Sequence, residues 1–116
     1  MSQVSIYHNP RCSKSRQTLA LLQEQGLEPN IIEYLKDTPD VAELKTLLSK
    51  LGFVSARELM RSKEDVFKEL DLKNESDEEK LLEAMAAHPK LIERPIVVKG
   101  EQARLGRPPE AVLEIL

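Results

Sequence analysis

A single α/β domain spanning residues 1–116 is predicted, built on a mixed sheet with elements in the order βαβ, a helical insert at about residues 38–88, then ββα. Three observations predict it: a helix pattern between two short apolar runs near the N-terminus, a leucine-striped middle with helix caps, and a hairpin signal followed by Pro-Pro. Val4 and Ile6 alternate with Ser5 and Tyr7, which makes a short strand. Ser13 to Gln25 carries Leu19 and Leu22 on one side of a helix that Gly26 stops. Asn30 to Leu35 is a second strand. Thr38-Pro39-Asp40 combines a capping threonine with proline at the first helical position, and Val41, Leu44, Leu47, Leu48 and Leu51 form a stripe ending at Gly52. Residues 55–61 and 64–70 are two short helical pieces. Ser76-Asp77-Glu78-Glu79 is a capping box for a helix running to about His88, where Pro89 ends it. Ile96 to Lys99 is a strand, Gly100-Glu101 a tight turn, and Gln102 to Leu105 the hairpin partner; Pro108-Pro109 starts a terminal helix over Glu110 to Leu116.

Composition narrows the functional classes. The lone cysteine, Cys12, excludes an internal disulfide, and no apolar run approaches the ~18 residues of a membrane span. No basic segment followed by a signal-like apolar stretch opens the chain, so a cytoplasmic protein is expected. A net charge of −3 and a pI near 5.5 argue against a nucleic-acid binder held by phosphate contacts.

Cys12 sits where the first strand hands over to the first helix, in Tyr7-His8-Asn9-Pro10-Arg11-Cys12-Ser13-Lys14-Ser15-Arg16. Unpaired N–H groups and the positive end of the helix dipole stabilise a thiolate there. The first acidic residue is Glu24, so Arg11, Lys14 and Arg16 stand around the sulfur with no carboxylate in residues 1–23. An unshifted thiol is only roughly 3% ionised at pH 7, and a fall of about two units makes thiolate the majority form. A buried, inert cysteine would instead have apolar neighbours, which residues 11–17 lack.

A βαβ unit, a ββα unit and a reactive cysteine at the first helix start are the layout of the thioredoxin and glutaredoxin class. In that class a cis proline before the third strand faces the thiol. Arg94-Pro95 stands at that place; outside that fold it would read as a trans proline that merely starts an edge strand.

The segments His8-Asn9-Pro10-Arg11-Cys12-Ser13-Lys14-Ser15-Arg16, Glu93-Arg94-Pro95-Ile96-Val97-Val98 and Leu105-Gly106-Arg107-Pro108 resemble the glutaredoxin-dependent arsenate reductases of bacteria, essentially end to end. The resemblance implies reduction of arsenate to arsenite, with Cys12 as nucleophile and Arg61, Arg94 and Arg107 as oxyanion-binding arginines. It implies that His8 helps to keep the thiol ionised. It also implies that glutathione and glutaredoxin supply electrons with no bound cofactor. Three guanidinium groups suit a tetrahedral oxyanion, because they neutralise oxygens that would otherwise repel a thiolate. Since Cys12 has no second thiol beside it in the chain, electrons must arrive from outside. Arg11 and Lys14 stand where the family tends to have small residues, and the added cations are expected to strengthen anion attraction.

Read without the resemblance, these residues are less distinctive. Arg61 lies in a charged helical stretch where an arginine is usually a surface group. Arg107 precedes a rigid Pro-Pro turn, and His8 is either a loop residue or a group whose charge near pH 7 is open. A phosphatase-type loop needs arginine at the sixth position after the cysteine, where Thr18 stands. A dithiol centre needs a second cysteine at Ser15, and two distant histidines offer no metal-ligand cluster. Two alternatives remain: a non-enzymatic transcription adaptor of the same fold binding RNA polymerase, or a thiol reductase of another oxyanion or of a mixed disulfide.

Overall fold

A computed structural model describes residues 3–116, which fall into two units: the chain up to Asp37 together with Arg94–Leu116, and Thr38–Glu93. The first unit carries β1 (Val4–Tyr7), α1 (Ser13–Glu24), β2 (Asn30–Ile32), β3 (Ile96–Lys99) and β4 (Gln102–Leu105), with a terminal 3₁₀ segment over Pro109–Ile115. Its sheet runs in the order β2-β1-β3-β4; β1 and β2 are parallel, and the other two pairings are antiparallel. This is the expected mixed sheet of the thioredoxin class. Val4, Ile6 and Val97 from the sheet pack with Leu22 of α1 and with Val112 and Ile115.

Two of its elements differ from the expected form. The second strand stops at Ile32 rather than Leu35, because Glu33 O accepts from Lys36 N and Asp37 N and turns the chain, leaving Tyr34 buried. The terminal segment is a 3₁₀ helix rather than an α-helix. Pro109, Val112 and Ile115 are its buried residues, three apart, and only a three-residue turn stacks them on one face.

The second unit holds α2 (Val41–Leu51), α3 (Asp65–Glu69) and α4 (Glu78–Ala87), with 3₁₀ turns at Ala56–Leu59, Leu72–Asn74 and Pro89–Leu91. It covers the expected helical insert and extends it to Glu93. The cap of α2 is Asp40, whose Oδ1 accepts from Glu43 N at 2.8 Å, so the helix begins after Pro39. Likewise Asp77, not Ser76, caps α4. Glu78 is thereby free to accept from Ser55 Oγ at 2.9 Å and Ala56 N at 2.8 Å, tying the start of α4 to the turn at Ala56–Leu59. That turn has its own reciprocal cap between Ser55 and Glu58.

One glycine sets the approach of the hairpin to α1. A Cβ on Gly106 would lie 2.4 Å from Thr18 Oγ1 and 2.7 Å from Pro95 Cγ, while Gly106 N donates to Pro95 O at 3.0 Å. Gly106→Ala is therefore expected to lower the unfolding free energy by about 1–3 kcal/mol. Urea unfolding reads this directly, and a midpoint equal to that of the parent would show that close approach here is not required.

Candidate active site

Strand register decides which residues meet. Tyr7 pairs with Ile96 and Ile96 with Leu105, so the chain leaving β1, the chain entering β3 and the chain leaving β4 lie at one end of the sheet. Those three segments contain Cys12, Arg94 and Arg107. His8 N extends the parallel ladder by donating to Ile32 O at 2.8 Å, Cys12 N closes a turn onto Asn9 O at 3.0 Å, and Arg11 N donates to Asn9 Oδ1 at 3.0 Å.

Cys12 occupies the N-cap of α1, where serine, threonine, asparagine or aspartate usually stands. No conventional cap bond closes, yet the N–H groups of Ser15 and Lys14 face the half-buried sulfur. Burial pushes the thiol up. It is outweighed by the Ser15 N–H, the Arg94 guanidinium and the Lys14 N–H, so the net effect is a thiol held below its ordinary range. Arg107 approaches from the other segment, with Nη2 at 3.9 Å from Cys12 Sγ and Nε donating to Arg94 O at 2.8 Å. Both arginines precede cis prolines, Pro95 and Pro108; Pro95 is buried, and the second cis bond has no counterpart in the sequence expectations.

His8 reaches the thiol through an intermediary. Its Nδ1 lies 2.6 Å from Ser15 Oγ, which also accepts from Asn9 N at 3.0 Å, leaving the serine proton to serve a neutral ring. Burial lowers the His8 pKa, and the Glu33 carboxylate opposes this only in part. Neutral His8 thus fixes Ser15, whose N–H faces the sulfur.

One polar residue of this site escaped the sequence reading. Tyr34 is fully buried, and its hydroxyl lacks a hydrogen-bond partner of ordinary geometry, as does the buried Nε of Arg94. Arg94 and Asn9 lie near enough to influence the phenol, but burial dominates and pushes its pKa up. A tyrosine just past a strand carries no signal that marks it as a site residue. Beside the thiol loop, a cleft of about 320 Å³ is lined by residues that include His8, Arg11, Glu33 and Lys36.

Arg61 belongs to the second unit. Its Nη1 lies 2.9 Å from Glu93 Oε1 and its Nε 3.5 Å from Glu64 Oε2, so its guanidinium is held by two carboxylates. Among the described residues there is no cluster of three or more His, Cys, Asp or Glu suited to a metal, and no helix long and apolar enough to cross a membrane. The first unit therefore presents a nucleophile beside two fixed guanidinium groups, an arrangement that attracts and orients an oxyanion.

Comparison with known proteins gives the family. The family model described as "ArsC family" matches residues 7–115. Similar proteins include an Escherichia coli (strain K12) protein called "Uncharacterized protein YfgD", 61% identical and covering 98% of this chain and 97% of its own length. An "Arsenate reductase" of Neisseria meningitidis serogroup A is 49% identical, with all of both chains covered. Among solved structures, the one titled "Arsenate reductase from Vibrio cholerae" superposes with a TM-score of 0.97 at 58% identity, covering 99% of this chain and 98% of that one. Matched over nearly its whole length, the chain belongs to the ArsC family.

Proposed function

We propose that the protein reduces arsenate to arsenite through a covalent adduct on Cys12, with glutathione and glutaredoxin as electron donors. The observation that carries this reading is the Cys12 sulfur at the start of α1, with Arg107 Nη2 at 3.9 Å and the Arg94 guanidinium lowering its pKa. The arsenate reductase names of full-length relatives support the choice of substrate.

Arsenate brings negative oxygens toward an anionic sulfur, so the reaction needs positive charge placed in advance. Arg94 and Arg107 supply it with planar paired donors that stay charged. The sulfur bonds to arsenic as a hydroxyl departs as water. Reduction then takes two electrons, which two thiols supply by becoming one disulfide, and the water already released accounts for the one oxygen that arsenate loses. Cys12 is one of those thiols. Glutathione adds as the second, arsenite leaves, and glutaredoxin resolves the mixed disulfide by thiol exchange. Arg11 and Lys36 on the cleft beside Cys12 offer cations to the two carboxylates of glutathione. His8 acts through Ser15 on the thiol, and Pro95 shapes the floor of the site beside Gly106. Arg61 joins as the third oxyanion arginine on the family resemblance alone.

Purified protein supplied with arsenate, glutathione and glutaredoxin is expected to form arsenite. Cys12→Ser should abolish turnover, and Arg94→Ala and Arg61→Ala should each lower kcat/KM by about 10²-fold. Turnover surviving in Cys12→Ser removes the mechanism; unchanged kcat/KM in Arg61→Ala removes only that arginine from it.

A further inference from the structure

We propose that Tyr34 is a further substrate-contacting residue, its hydroxyl donating a hydrogen bond to an oxygen of the tetrahedral oxyanion that Arg94 holds over Cys12. This rests on the oxyanion reading given above and adds a contact to it.

The two parallel strands explain how Tyr34 arrives there. β1 and β2 run side by side with Tyr7 opposite Ile32, so their C-terminal ends deliver the thiol loop and Tyr34 to one edge, where ligands of α/β sheets collect. His8 N on Ile32 O keeps the two exits together, and the turn at Glu33 leaves Tyr34 fully buried. A hydroxyl buried so completely normally has a partner. Here the Arg94 guanidinium and the Asn9 amide are near, but no hydrogen bond of ordinary geometry satisfies the hydroxyl, and the buried Nε of Arg94 is unsatisfied as well. The phenol feels the charges of Arg94 and Cys12 and lies near the Asn9 amide, all groups at the thiol end of the sheet. Two unsatisfied groups at one place have a common explanation in a ligand that brings acceptor oxygens. Burial keeps the phenol protonated, hence a donor, and arsenate offers only acceptors and its own hydroxyls.

Removal of the hydroxyl separates a ligand contact from a structural role. In the parent, arsenate without any thiol reductant should protect Cys12 from alkylation by iodoacetamide. In Tyr34→Phe, the arsenate concentration giving half-protection should rise about tenfold or more, as expected for loss of a hydrogen bond to a charged group. The alkylation rate against pH without arsenate should be unchanged, and the thermal midpoint should fall little, since the hydroxyl makes no hydrogen bond of ordinary geometry in the free protein. Equal half-protection in the two proteins overturns the contact. A displaced pH profile in the variant also overturns it, because the hydroxyl would then be acting on the thiol or on Arg94. Failure of arsenate to protect the parent sinks the oxyanion reading and this inference with it.

Discussion

Negative charge on one sulfur is stabilised against burial by the N–H groups of Ser15 and Lys14 and by the Arg94 guanidinium. Desolvation alone would leave Cys12 a neutral thiol, and a neutral thiol is a poor nucleophile. In the proposed reaction the same positive charge that holds the thiolate would also draw in the oxyanion, so one set of groups would serve nucleophile and substrate. Negative oxygens arriving beside a negative sulfur make such a field a requirement of the chemistry.

The sheet provides that field by register more than by local sequence. Pairing of Tyr7 with Ile96 and of Ile96 with Leu105 brings three chain segments distant in sequence to one edge. Gly106 then allows the exit of β4 to press against Thr18 and Pro95, and Arg107 follows directly with its Nε fixed on Arg94 O. An arginine fixed this way loses little freedom on binding an anion. His8 contributes at one remove: neutral and buried, it orients Ser15, and Ser15 presents its N–H to the sulfur.

Much of this was legible in the residues. Alternation at Val4–Tyr7 and the helix pattern after Ser13 placed Cys12 at a helix start, and the absence of carboxylates before Glu24 marked the positive surroundings. Arg94 was readable from Pro95, which is cis as the fold class requires. Other features depend on contacts that no local pattern encodes. Tyr34 reads as one more strand residue, and only the turn closed by Glu33 O buries it beside the thiol loop. Thr38 looked like the cap of α2, but the Asp40 carboxylate is the acceptor that meets Glu43 N. Glu78 looked like part of a capping box and instead serves Ser55 and Ala56, a partnership 22–23 residues long. Arg61 was marked by resemblance, and the second unit holds it between Glu64 and Glu93.

Titration of Cys12 by the ultraviolet absorbance of its thiolate, with Cys12→Ser as blank, tests the charge balance most directly. The account predicts a midpoint below the ~8.5 of free cysteine. The sign follows from the lowered pKa: the folded protein releases this proton at lower pH than the unfolded chain. The resulting stabilisation is complete above ~8.5 and is lost as pH falls through the folded midpoint. A midpoint at or above ~8.5 would contradict it, because the surrounding N–H and guanidinium groups would then fail to overcome burial.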